Sequence, residues 1–173
     1  IRDRMGMFLA FSLAQDGIIN KLRSNLPDCP FPIRYTSLTA FNARYRQGRI
    51  TATGSLVYTN VTEHVKIGDA PADFQRLAPS FTVSLQPWQE QLLFLRLMYK
   101  STFRMPTFND LYYADMGNSK LNPEHVTQYN VGMLYEHQSP ERFFTNLRFS
   151  VDAYYNKVKD KIVAYPKGQQ FRW

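Results

Sequence analysis

The residues best equipped for recognition chemistry lie in one stretch, Phe103 to Glu124. Asn109, Asp110, Tyr112 and Tyr113 place an amide, a carboxylate and two phenols on about one helical turn. Phenol rings give contact area at low entropic cost, and the polar groups add directed hydrogen bonds, so the set suits holding a ligand. The competing reading is that these side chains only fold the stretch on itself. Phe171 and Trp173, at the end of the chain, admit the same two readings. A second set is cationic: Arg34, Arg44, Arg96, Lys100, Arg104 and Arg148 fall on the polar sides of alternating segments, where they could steer an anionic solute. No catalytic constellation is visible. His64, His125 and His137 lack metal-ligand spacing with one another or with a cysteine. Nucleophile-elbow, phosphate-loop and zinc-protease motifs are absent, and nothing places two carboxylates together. The expectation is a non-enzyme without metal or cofactor. Cys29 is the one cysteine, so it forms no disulfide within the chain. It reads as a loop thiol or as one half of a bridge to residues beyond this sequence.

These residues are positioned by segments that alternate with period two, the mark of strands. Seven are expected: Met5 to Ala14, Ile33 to Tyr45, Arg49 to Asn60, Phe74 to Gln86, Leu92 to Arg104, Val126 to Glu136 and Phe143 to Asn156. In the second, Ile33, Tyr35, Phe41, Ala43 and Tyr45 oppose Arg34, Thr36, Asn42 and Arg44. Gly48 is free to take the positive φ of a tight hairpin. The connections run long, short, long, short, long, short, long, so all the short ones lie at one end of an antiparallel meander. Loops as long as the one after Arg104 are uncommon in compact folds and usually functional. Inside it, Pro106 ends a strand, Thr107 is placed to cap a helical turn over Phe108–Tyr113, Gly117-Asn118 reads as a turn, and Asn122-Pro123 enforces extended re-entry into the next strand.

Two environments explain such segments: a soluble β-sandwich, or a membrane barrel whose apolar face meets lipid and whose polar face lines a lumen. The chain has 173 residues, 15% of them aromatic, and a formal charge of +7. Mean hydropathy is −0.40, and no apolar run approaches the ~18 residues of a spanning helix. Tyr35 and Tyr45 point the same way ten residues apart. That spans roughly 25 Å along a tilted barrel axis, the height of an apolar band between aromatic girdles. The cations are scattered and fit no nucleic-acid-binding motif, so nucleic acid is not an expected partner. Basic residues lining a pore or facing anionic lipopolysaccharide account for the charge equally well. No signal peptide precedes the first strand, so it was removed or the sequence is a fragment.

The late segments resemble TonB-dependent outer-membrane receptors. The blocks that carry the likeness are Phe103-Arg104-Met105-Pro106, Asn109-Asp110-Leu111-Tyr112, Gly117 to Glu124 (G-N-S-K-L-N-P-E), Gln128-Tyr129-Asn130-Val131-Gly132, Asp152 to Asn156 and Asp160-Lys161-Ile162. Residues 1–90 join only by their pattern. The resemblance implies an all-β fold, an antiparallel meander of about seven strands within a larger, 22-stranded transmembrane β-barrel, with the plug domain and remaining strands outside residues 1–173. It implies a Gram-negative-type cell outer membrane. It also implies import of an iron chelate (siderophore), haem, vitamin B12 (cobalamin) or oligosaccharide, bound at outer loops and driven through TonB by a segment not present here. Partners would be outer-membrane lipid, the plug, the TonB complex and the transported small molecule. The six cations would then face the lumen and pair with plug carboxylates, Arg104 foremost. A soluble carbohydrate-binding sandwich and a passive porin are the alternatives.

Overall fold

The computed structural model describes residues 5–19, 31–68, 70–88, 92–113, 117–138, 146–167 and 170–172. Alternation of β-branched or aromatic residues with small polar ones produces long strands: β1 (Gly6–Ile19), β2 (Ile33–Gln47), β3 (Ile50–His64), β4 (Phe74–Leu85), β5 (Leu92–Arg104), β6 (Glu124–Gln138) and β7 (Asn146–Lys159). They form one 7-stranded sheet in sequence order, each antiparallel to the next. Between β5 and β6 stands the short helix α1 (Phe108–Tyr112). Beyond β7, β8 (Tyr165–Lys167) and β9 (Gln170–Arg172) make a separate 2-stranded hairpin.

The meander agrees with the alternation, and the helical turn capped by Thr107 is present. Several strands outrun their expected ends. β1 continues through Gln15, Asp16 and Gly17, where polarity suggested a loop, because each pairs with β2. β3 continues through Val61 to His64, opposite Phe74 and Ile33–Tyr35. β7 runs from Asn146 to Lys159, and its expected start at Phe143 lies outside the described residues. Gly48 has φ 52°, as the first position of the two-residue turn between Gln47 and Ile50 requires. The β4–β5 ladder stops at Ser80, beside Pro79, which has no N–H to donate.

The sheet has one layer. Its apolar side chains are exposed, among them Phe11 at 70%, Val131 at 56% and Phe81 at 51%. Among the described residues only Val61, Leu111 and Ile162 are buried hydrophobics. A sandwich would have covered that face with a second sheet. The small core there is sits at the long-connection end, where Leu111 and Tyr112 lie against β3.

Candidate functional site

The loop after β5 is built around α1. Thr107 and Asp110 form a reciprocal capping box: the Asp110 N–H donates to Thr107 Oγ1 (3.2 Å), and the Thr107 N–H donates to Asp110 Oδ2 (2.8 Å). The Asn118 N–H donates to the Asp110 carbonyl at 2.9 Å, folding the returning chain against the helix. Gly117 permits this closure, since a Cβ there would stand 2.7 Å from the Leu111 carbonyl oxygen. The turn itself lies at Ser119-Lys120, two residues later than expected, with the Leu121 N–H donating to the Asn118 carbonyl at 3.2 Å.

A buried ion pair fastens this loop to the sheet. Arg34 on β2 and Glu63 on β3 are register partners. Arg34 Nε donates to Glu63 Oε2 at 2.8 Å. Arg34 Nη2 is also 2.7 Å from that oxygen, but outside hydrogen-bonding direction. Only 9% and 4% of the two side chains are exposed. Tyr112 donates its hydroxyl to Glu63 Oε1 at 2.6 Å, and the Arg34 guanidinium lies 4.9 Å from the Phe108 ring centre. Burial, then the hydrogen bond to Glu63 and its negative charge, push the Tyr112 phenol above its ordinary range, so it remains a donor. A cavity of about 380 Å³ opens beside the pair, bounded by Phe74, Met105, Leu111 and Leu121.

The recognition quartet therefore divides. Asp110 is buried as the cap, and Tyr112 is engaged with Glu63. Asn109 and Tyr113 remain exposed, Tyr113 by 53%. Phe171 falls in β9; its side chain, Trp173 and Cys29 lie outside the described residues.

Register places Arg34, Arg44, Arg96, Lys100, Arg104 and Arg148 on one face, opposite the apolar one. Four find carboxylates within this chain: Arg34 with Glu63, Arg96 with Asp152 at 2.8 Å, Arg148 with Glu136 at 3.4 Å and Arg104 with Asp110 at 3.8 Å. The Arg96–Asp152 pair passes over Gly132, where a Cβ would meet Asp152 Oδ1 at 2.5 Å. Plug carboxylates are thus not needed for these four, which leaves Arg44 and Lys100. Glu63 escaped the sequence reading because Val61 onward looked like a loop. The signal was available: Val57, Thr59, Val61 and Glu63 keep one parity. No group of described residues could hold a metal ion.

Residues 14–173 match the family described as TonB dependent receptor-like, beta-barrel. Similar curated proteins include the vitamin B12 transporter BtuB of Photobacterium profundum, 35% identical over 65 residues, which are 38% of this chain and 10% of that protein. The vitamin B12 transporter BtuB of Vibrio vulnificus is 32% identical over 71 residues, 41% of this chain and 10% of that protein. The matched stretch thus spans about a tenth of the length of these relatives. With the family match covering nearly all of a single-layered antiparallel meander, this chain belongs to the TonB-dependent receptor β-barrel family.

Proposed function

We propose that this chain is a wall segment of an outer-membrane importer that binds a scarce, large solute and moves it with TonB-coupled energy. The observation that carries the reading is the uncovered apolar face of a single sheet, which suits lipid, opposite a face of Ser, Thr, Asn and paired Arg, which suits a wet interior. The plug, the remaining strands and the TonB-contacting segment belong to the rest of the protein on this reading. The substrate class favoured is a cobalamin, because both relatives named above are vitamin B12 transporters. Iron chelates, haem and oligosaccharides are the competing substrates. Asn109 and Tyr113 offer it exposed contacts, on a platform held by Glu63 and Tyr112.

The test is uptake of labelled cobalamin by cells whose only receptor is the full-length protein. Accumulation that stops when the proton gradient is collapsed supports the reading. Uptake indifferent to the gradient points to a passive pore, and no saturable binding to outer membranes removes cobalamin as the substrate.

A further inference from the structure

The cavity beside Arg34 and Glu63 has a cause in the sequence. Pro79 has no N–H to donate, and the β4–β5 ladder ends at Ser80–Lys100. Beyond that point Phe74 to Pro79 pair only with β3, and Ser101 to Arg104 only with β6. The two strands therefore part toward the long-connection end, with the Phe74 and Phe103 rings 5.0 Å apart across the gap. Residues 119–123, returning from α1, and 70–73, entering β4, complete a cavity of about 380 Å³ around Phe74 and Leu111. Small-molecule sites occupy about 300–1,000 Å³.

The lining is apolar and stiff. Phe74, Leu111 and Leu121 supply hydrocarbon, while Pro71, Pro106 and Pro123 fix the backbone and offer no N–H. The Lys120 N–H donates to Asn118 Oδ1 at 3.0 Å and the Leu121 N–H to the Asn118 carbonyl, so this wall is ordered before a ligand arrives. Among the described residues that line the cavity the charges cancel, Arg34 and Lys120 against Glu63 and Asp73. Arg34 is the informative one. Glu63 meets its charge, its side chain is only 9% exposed, and Nη2 has no hydrogen-bond partner. A donor whose charge is already met suits a neutral oxygen, because an anion would bring a second negative group into a balanced, dry site.

We propose that this cavity takes an uncharged, apolar group of the imported solute, one bearing a carbonyl or hydroxyl oxygen, and so favours neutral solutes over anionic chelates. The inference rests on the importer reading above and narrows it: the discriminating contacts lie in the crevice between two connections, with Asn109 and Tyr113 outside it.

Binding is measured on outer membranes containing the full-length receptor, with three labelled probes: cyanocobalamin, which has no net charge, an uncharged ferric trihydroxamate and an anionic ferric tris-catecholate. Ala72→Trp puts a large ring at the cavity wall from an exposed position outside any strand, and Ala70→Trp, on the same wall, carries the same expectation. Ile67→Trp places that ring on the same connection, away from the lining. Heat-modifiable gel mobility shows which variants are folded. A neutral probe should bind saturably. Either alanine variant should weaken it about tenfold or more, the worth of one buried apolar group, with Ile67→Trp close to wild type. Lys120→Gln and Asp73→Asn should each shift its affinity by less than about fivefold. Gradient-dependent cobalamin uptake with binding unchanged in both alanine variants leaves the importer reading standing and overturns the cavity. Trihydroxamate binding that these variants weaken, without cobalamin binding, removes cobalamin and keeps the cavity. Catecholate binding that Lys120→Gln weakens and Asp73→Asn strengthens overturns the proposal, as does saturable binding of neither neutral probe.

Discussion

Replacing Glu63 by alanine tests whether the loop platform hangs on a single buried carboxylate. The change leaves Arg34 charged where its side chain is only 9% exposed, and it removes the acceptor of the Tyr112 hydroxyl. Breaking a buried pair from one side costs about 3–5 kcal/mol. At about 1.4 kcal/mol per factor of ten, that is a hundredfold or more in the opening equilibrium of whatever the pair holds shut. The structure says what that is: the amides of Leu111, Tyr113 and Asn118, bonded to the carbonyls of Thr107, Asn109 and Asp110. Hydrogen exchange on the full-length receptor should show these amides exchanging at least about a hundredfold faster in Glu63→Ala. Tyr112→Phe keeps the ion pair and loses one hydrogen bond to a charged group, about 1.5–3 kcal/mol, so its effect should be smaller. Arg34→Met/Glu63→Leu leaves no unpaired charge and should resemble Tyr112→Phe more than Glu63→Ala. The reasoning is refuted if Glu63→Ala leaves the three amides as protected as in the wild type, or if amides of β6 and β7 accelerate equally.

Three further outcomes follow from particular contacts. Val131→Arg puts a charge on the exposed apolar face and should cost about 2–4 kcal/mol near the bilayer midplane, whereas Asn130→Arg, on the other face, should cost far less; the fraction of full-length receptor folding into vesicles, read by heat-modifiable gel mobility, compares them. Gly117→Ala drives a Cβ against backbone atoms 2.7 Å away, so protection of the Asn118 amide should be lost, while Gly132→Ala meets only the half-exposed side chains of Asp152 and Arg96, which can swing aside, and should cost under about 1 kcal/mol, read from urea unfolding. Asp110→Ala removes one partner of the capping box and should destabilise the loop by about 1 kcal/mol, while Thr107→Ser should be close to neutral, both read from exchange at Leu111.

Strand parity was legible in the sequence because one face must be greasy along its whole length; Phe41 and Tyr35 could not share a face with Arg34 in any strand. Strand ends were not legible in the same way. Asp16 and Glu63 look like loop residues because polarity normally marks the point where a strand leaves its core, and this sheet has almost no core to leave. Backbone pairing carries the ladder outward as long as a neighbour is present, so β1 and β3 stop where β2 stops supplying partners. The helical turn was legible because its cap lies within four residues. The division of its side chains was not. Whether Tyr112 reaches toward a ligand or toward Glu63 depends on a contact 49 residues away in sequence, which no local pattern encodes.

The charge of the polar face follows from the same long-range pairing. These six cations, with Arg46 and Arg76 sharing their parity, would set a strongly positive interior field if each stood alone. Cross-strand geometry prevents that. Arg96 reaches Asp152 two strands away because Gly132 between them has no side chain, and Arg148 meets Glu136 directly across the β6–β7 ladder. On the reading proposed above, Arg44 and Lys100 are the two of these six left to act on a plug or a solute, with the exposed Arg46 two residues from Arg44 on the same face of β2. Arg44 and Lys100 sit on different strands, with Lys100 beside Ser80 and Gln128 and Arg44 beside Phe8 and Thr53, no carboxylate among those neighbours. A plug surface that docks here needs acidic groups at those two places and neutral hydrogen-bonding groups elsewhere. Carboxylates set against the paired arginines would compete with Glu63, Asp152 and Glu136 for partners already satisfied, and would gain little for the desolvation they cost.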